Sequence, residues 1–574
     1  MKKSAYTFFY IFFLVSFKIS AQYQPENLSP EDLRKAHQWV DKTYNSLSQD
    51  EKLGQLFIVA LYTNKDENHI NQVRNIVVND KIGGLILMQD DAAREISLVN
   101  EFQQKSKVPL MIGMDAEWGL YQRIAAAHKF PWAMTLGAIQ DKNLIYQMAS
   151  KIAEDCKRMG INWDFAPVVD VNTNPDNPII GNRSFGSEVN NVILSALSYS
   201  KGLQDNNILA AIKHFPGHGD TSTDSHLDLP VVSHSLDRLN AVELAPFKAL
   251  MNKGIGGVMV AHLYVPGLEP QKGIPASVSK NIITGLLKEK LGYKGLIITD
   301  ALNMGAVANK YKPGELDALA FKAGNDIMLF SQGVSEGKKL IQKAIDQGEI
   351  PPSRLEESVK KILLTKYFLG LSQYTPKNPE NINYDLNNDS HRILVRNLYA
   401  NALTLLKDDK KLLPLSGKQI YYVPLEEAPY QTFADQLGAG VIVKKTSEIN
   451  TIPVNSTVIV GFHKDNSTAY KPYKISEGSK KVLADLTKTQ NVILNVFGSA
   501  YALKDIDISK VSTVLISYEN NDDSLTATAN AIKGKTKIWG RLPVSVNNQL
   551  KAGMGIDMDP VSYSNSTVFT TSKQ

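Results

Sequence analysis

Cysteine is all but absent from this chain. Cys156 is the only one among 574 residues, so no intrachain disulfide can form. It falls in segment 141–159, where Leu144, Met148 and Ile152 share one helical face, and a buried helical thiol is the ordinary reading there. Blocks of like charge are missing too. The formal net charge is +5; setting aside the N-terminal Lys2, Lys3 and Lys18 brings it to roughly +2. Nucleic-acid binding therefore has no electrostatic footprint. There is no His-x-His, no His-Glu-x-x-His, no fixed-period repeat and no low-complexity tract. What remains is an ordinary soluble composition, 43% hydrophobic and 21% charged, long enough for two to four domains.

Residues 1–21 read as a secretory signal. Lys2 and Lys3 give a positive start, Tyr6 to Phe17 an apolar run, and Ser20-Ala21 a small-residue cleavage site before Gln22. The run is short of the roughly 20 residues that a membrane span takes. No cysteine lies nearby to carry a lipid. The expectation is an exported protein, periplasmic or secreted, with no stable membrane insertion after cleavage.

Between residues 50 and 330, eight short apolar runs alternate with helix-like stretches: 56–60, 84–88, 110–115, 163–169, 209–214, 258–262, 296–300 and 326–330. Continuous apolarity suits strands buried on both faces of a parallel sheet. Ser279 can cap a helix with Ile282, Ile283, Leu286 and Leu287 on one face and Gly292 at its end. A second helix starts at Asp237, with Pro246 set to kink or break it. Eight strands predict an α/β fold, a (β/α)8 barrel over residues 22–370, with an open doubly wound sheet as the alternative. Residues 371–390, rich in Pro, Asn and Asp, predict a linker. A smaller α/β sandwich is predicted over 391–574, with apolar runs at 420–423, 441–443, 458–462, 492–497 and 514–518.

Polar residues gather where a barrel would place its chemistry, at strand C-termini. The third run ends in Asp115-Ala116-Glu117. The fifth ends in Lys213-His214, followed by Phe215-Pro216-Gly217-His218-Gly219-Asp220 and Asp224-Ser225-His226. The sixth ends at His262 and the seventh in Thr299-Asp300. Singly, each is an ordinary cap, turn former or core histidine; together they predict a site. Metal-assisted hydrolysis is one chemistry for such a set. His214 and His218 have helical i, i+4 spacing, but Pro216 and Gly217 lie between them and disfavour that helix. Glycoside hydrolysis is the other, with a carboxylate nucleophile and a proton donor flanking the bond. Asp300 suits the first role. His226 suits the second, if Asp224 accepts a hydrogen bond from one ring nitrogen.

The segment Lys213 to Asp220, running on to Asp224-Ser225-His226, resembles the signature of family 3 glycoside hydrolases, in particular the bacterial β-N-acetylglucosaminidase branch of the muropeptide-recycling type. Phe165-Ala166-Pro167, Gly181 to Gly186, Pro275-Ala276-Ser277 and Ile298 to Leu302 keep the same order. The resemblance is strong over about 45–370 and weaker over 390–550. It implies a barrel followed by a sandwich and release of terminal β-linked N-acetylglucosamine. It implies retention through a covalent intermediate on Asp300, with His226 as acid and base assisted by Asp224. Asp115, Arg123, Arg183, Lys213 and His214 would hold the sugar. The implied partner is a carbohydrate, an amino-sugar glycan or cell-wall fragment, with no metal and no organic cofactor. One departure is that Leu120 stands where many relatives carry an arginine, while Arg123 is kept and Trp118 adds bulk. A β-glucosidase or β-xylosidase of the same family, drawing a glutamate such as Glu426, Glu427 or Glu519 from the second domain, is the alternative. A non-catalytic glycan-binding protein is the alternative of another class.

Overall fold

The computed structural model describes residues 23–25, 28–89, 91–417, 419–468 and 470–561. The expected signal, 1–21, lies outside the described residues.

Eight parallel strands form one sheet: β1 (Phe57–Leu61), β2 (Gly84–Leu87), β3 (Met111–Met114), β4 (Trp163–Asp164), β5 (Leu209–Phe215), β6 (Gly257–Val260), β7 (Leu296–Thr299) and β8 (Met328–Leu329). Their order is β7-β6-β5-β4-β3-β2-β1-β8. A parallel bridge between Ile298 and Ile327 joins the two ends of that order. The predicted barrel is therefore the observed one, and each of the eight apolar runs overlaps one strand. All seven residues of β5 are buried, as helices outside and side chains inside require. The fourth run yields two strand residues, Trp163 and Asp164, and pairing with β5 resumes in an isolated bridge between Val168 and Lys213.

The helices follow their local chemistry. Ser279 Oγ accepts from the Ile282 N–H at 3.1 Å, opening the helix Asn281–Lys290. Gly292 leaves that helix with φ +68°, a backbone that L side chains rarely adopt. The stretch from Asp237 is split, as Pro246 predicts, into Leu236–Ala241 and Ala245–Met251, with the proline in the first turn of the second piece. Cys156 is buried in Lys142–Met159. Among the described residues no helix is long and apolar enough to cross a membrane.

A second sheet follows: β9 (Thr404–Asp408), β10 (Ile420–Leu425), β11 (Val441–Val443), β12 (Thr457–His463), β13 (Asn491–Phe497) and β14 (Thr513–Ile516), ordered β11-β10-β12-β13-β14-β9. Five strands are parallel and correspond to the predicted runs. β9 pairs antiparallel with β14 at the edge, an element the apolar pattern does not announce. The segment between the sheets is tied to the barrel. Arg158 reaches Asp385 at 2.8 Å and the carbonyls of Asn378 and Glu380, and Asn100 donates to the Lys377 carbonyl at 2.8 Å.

Barrel closure rests on Asp326, fully buried just before β8. Its carboxylate accepts from the Ile297 N–H of β7 at 3.1 Å, from Ser358 Oγ at 2.5 Å and from Lys361 Nζ at 3.0 Å. Arg354 lies at 3.3 Å. The last three sit on one helix, Pro352–Phe368. Burial alone would raise the Asp326 pKa, but Lys361, Lys288 and Arg354 hold it well below the usual carboxylate range. Asp326→Ala strands these cations without a counter-charge and should cost about 3–5 kcal/mol, read as an earlier unfolding midpoint in urea. Because the folded pKa is depressed, this stabilisation is present above the ordinary aspartate value of ~3.9 and withdrawn only as pH falls below it. The gap between parent and variant should therefore persist at pH 5 and narrow in stronger acid.

Candidate active site

The C-terminal ends of the barrel strands open into a cavity of about 640 Å³. Its floor is a chain of alternating charges. Arg123 Nη2 meets Asp115 Oδ2 at 2.6 Å, and Asp115 Oδ1 accepts from Lys213 Nζ at 2.8 Å. The same ammonium lies 2.9 Å from Glu117 Oε1. Glu117 takes a two-pronged bond from Arg183, Nε at 2.9 Å and Nη2 at 2.6 Å. Lys213 is 2% exposed. A bare ammonium at that depth would be costly, and the two flanking carboxylates make it tolerable.

The titrations reflect this pairing. Burial pushes each of these carboxylates up, but the adjacent cations win. Asp115 is held well below its usual range by Lys213 and Arg123, and Glu117 is held down to about 2 by Arg183 and Lys213. Lys213 is raised, the pull of Asp115 and Glu117 outweighing burial. His214, the next residue of β5, is fixed by Asp170, with Nδ1 2.7 Å from Oδ2, while Nε2 lies 3.3 Å from Arg183 Nη2.

Asp300 follows β7. Its N–H donates to the Val260 carbonyl at 2.8 Å, and its Oδ1 accepts from the Ala301 N–H at 2.8 Å. Burial raises the Asp300 pKa, but nearby His214 and His262, the Ala301 N–H and Lys213 outweigh it and leave the pKa below its ordinary value, so the group is a carboxylate at neutral pH. His262 serves as a core support. Its Nδ1 lies 2.7 Å from Ser277 Oγ and its Nε2 3.0 Å from the Ala301 carbonyl.

His226 lines the same cavity from the loop after β5. Its Nδ1 and its backbone N–H each lie 2.8 Å from Asp224 Oδ1. Nδ1 is thus engaged, and Nε2 is the nitrogen left for a ligand. The loop is docked onto the segment that follows Asp300: the Gly305 N–H donates to the His226 carbonyl at 3.2 Å and the Ala306 N–H to the Ser225 carbonyl at 3.3 Å. His218 does not share a helix with His214. It is buried, held by Thr221 Oγ1 at 2.7 Å, and its pKa is lowered to about 4 by burial. Among the described residues no group of three or more His, Cys, Asp or Glu side chains is arranged to hold a metal ion.

Asp115, Arg123, Arg183, Lys213, His214, His226 and Asp300 all line the one cavity, and Asp224 stands behind His226. Glu117 was visible as a strand-end carboxylate, yet its pairing with Arg183 across 66 positions was not. Asp170 left no signal beyond its place after the fourth run. Trp118 lines the cavity, whereas Leu120 is 1% exposed and packs in the core. The second domain also reaches the rim through Ser467, Thr468 and Tyr470. Glu426 and Glu427 are engaged by Lys464 at 3.2 and 3.0 Å, and Glu519 is buried; none of the three lines the cavity.

Beneath the floor lies Asp164, fully buried, its Oδ1 accepting from the Ala116 N–H at 3.0 Å. Burial raises its pKa to about 7, with Asp115 and Glu117 adding to the rise. A raised folded pKa gives stability that is full below the unfolded value of ~3.9 and lost as pH rises through about 7. Asp164→Asn can still accept from Ala116. It should flatten the stability profile between pH 4 and 7 and match or exceed the parent at pH 8. Urea titrations across that interval check this, and an unchanged slope would place the pH dependence in another group.

Comparison with known proteins agrees with this geometry. Residues 48–365 match the profile described as "Glycosyl hydrolase family 3 N terminal domain". The chain is 30% identical over 554 residues to beta-hexosaminidase A of Pseudoalteromonas piscicida, covering 83% of this chain and 91% of that one. It is 28% identical over 464 residues to a beta-N-acetylglucosaminidase/beta-glucosidase of Cellulomonas fimi, covering 79% and 80%. A solved glycoside hydrolase family 3 beta-N-acetylglucosaminidase from Paenibacillus sp. str. FPU-7 superposes with a TM-score of 0.72 at 28% identity, covering 88% of this chain and 99% of that one.

Proposed function

The chain belongs to glycosyl hydrolase family 3, and on that footing we propose that it is a retaining β-N-acetylglucosaminidase, releasing terminal non-reducing N-acetylglucosamine from amino-sugar glycans such as cell-wall fragments. The observation that carries this reading is the Asp224–His226 pair, docked beside the Asp300 segment at the cavity rim.

In this reading the Asp300 carboxylate attacks the anomeric carbon. The imidazolium of His226 gives its proton to the departing oxygen as the glycosidic bond breaks. A glycosyl ester on Asp300 results, and the aglycone leaves as an alcohol. Neutral His226 then takes a proton from water, whose oxygen attacks the same carbon and releases the carboxylate. Net configuration is retained. Asp224 holds the imidazole in one orientation through Nδ1. The Asp115–Lys213–Glu117–Arg183 chain offers fixed donors and acceptors to sugar hydroxyls and the acetamido group. Export follows the N-terminal pattern and suits a substrate outside the cytoplasm.

A glucoside reading has one supporting observation, the double name of the Cellulomonas fimi relative. One experiment separates the two. The mature protein should hydrolyse p-nitrophenyl β-N-acetylglucosaminide in clear preference to the β-glucoside, and Asp300→Ala should lose at least ~10³-fold in kcat. Preference for the glucoside would overturn the substrate assignment while keeping the nucleophile. His226→Ala should cripple cleavage of a disaccharide far more than that of the activated aryl glycoside, and the alkaline fall of the parent's rate on the disaccharide should disappear with it. Equal losses on both substrates would remove His226 from the donor role.

A further inference from the structure

Glu519 has no place in the mechanism above, yet it is among the most completely enclosed charges of the molecule, at 0% exposure. It belongs to the second domain, three residues after β14, and among the described residues its cross-domain bonds go to one barrel segment. Oε1 accepts from the Trp132 N–H at 2.8 Å and from Thr135 Oγ1 at 2.8 Å, and Oε2 lies 3.2 Å from Lys129 Nζ. These contacts span nearly 390 positions of sequence.

The gripped segment forms part of the cavity wall. Trp132 lines the sugar cavity, and its ring packs against that of Trp118, centroids 4.6 Å apart. Lys129 Nζ, the partner of Glu519, also sits 4.2 Å over the Trp132 ring. The indole N–H of Trp132 is buried and has no hydrogen-bond partner among the described residues. Among these residues no polar bond of the ring itself sets its pose. The backbone bond to Glu519, the ammonium held by Glu519 and the packing against Trp118 set it instead. Trp132, 2% exposed, backs the half-buried Trp118, and an indole beside sugar-binding polar groups is the kind of apolar wall against which a pyranose ring stacks.

We infer that Glu519 is a positioning residue: from the second domain it fixes the Trp132–Trp118 wall of the cavity, and through that wall it sets affinity for the sugar. The inference rests on the glycosidase reading for the identity of the ligand. It also gives the second domain a part in substrate binding besides bracing the barrel. Glu519 touches no reacting atom, so its removal should weaken binding of ground state and transition state alike. That signature is a raised KM with kcat preserved.

The test uses the full chain with Glu519→Ala, Glu519→Gln and Thr135→Val, assayed on the aryl N-acetylglucosaminide or on whichever aryl glycoside the parent turns over. Glu519→Ala should raise KM about tenfold with kcat within about threefold of the parent. Glu519→Gln keeps an oxygen for the Trp132 N–H and should recover a good part of that loss. Thr135→Val removes one donor from the barrel side, leaves Glu519 in place, and should show a smaller rise in KM. It serves also if Glu519→Ala fails to fold. Quenching of tryptophan fluorescence by N-acetylglucosamine should weaken in parallel with KM; this readout works without turnover. A silent parent that still binds the sugar would therefore count against the glycosidase reading and not against this one. Two results overturn the inference. One is a lower melting temperature with KM and quenching unchanged, which would make Glu519 a structural brace only. The other is a fall in kcat with KM unchanged, which would move Glu519 into the chemistry.

Discussion

The active-site floor depends on one buried cation. Lys213 Nζ, on β5, lies within 2.9 Å of carboxylates from two residues that follow β3, Asp115 and Glu117. Taking an ammonium out of water is costly, and a lone lysine at 2% exposure would shed its proton or force its way out. Two carboxylates reverse that balance, and each is capped in turn by an arginine, Arg123 on one side and Arg183 on the other. No member can be removed without stranding a neighbour. That interdependence fixes the floor in one geometry before any ligand arrives, which is what preorganised recognition of a sugar requires.

The reacting groups proposed here sit in contrasting settings around that floor. Asp300 is held at the end of β7 by backbone bonds, and its polar surroundings lower its pKa despite burial. His226 stands on an exposed loop, its side chain 57% exposed, restrained by Asp224 and by two backbone bonds to the segment after Asp300. A buried, fixed anion and a water-accessible imidazole suit their roles: one must be aimed, while the other must give up a proton and regain it from solvent. The barrel's far walls are set from outside, with the second domain contributing Tyr470 at the rim and the Glu519 clamp behind the tryptophan pair.

Much of this was legible in the sequence because the barrel obeys local rules. Eight apolar runs gave eight strands, Ser279 and Pro246 marked helix boundaries where they act, and the strand-end residues Asp115, Lys213, His214 and Asp300 converge on one cavity. What escaped notice depends on contacts between distant parts of the chain. β9 is an edge strand whose partner lies more than 100 residues away. The Glu117–Arg183 pair and the Asp170–His214 pair join residues whose neighbours in sequence say nothing of each other. Glu519, a nominal acid/base candidate by residue type alone, turned out to face the domain interface, where its three barrel donors could not have been read from sequence.

The proposed chemistry requires that Asp300 become covalently glycosylated within this preformed floor. Trapping the glycosyl ester is the decisive test. The protein is incubated with a fluorinated N-acetylglucosaminyl fluoride, whose ring fluorine slows breakdown of the intermediate, then quenched, digested and analysed by mass spectrometry. One added sugar per chain is expected, mapped to the peptide containing Asp300 and absent in Asp300→Ala. Turnover of the substrate with no adduct, or an adduct on another carboxylate, would contradict it.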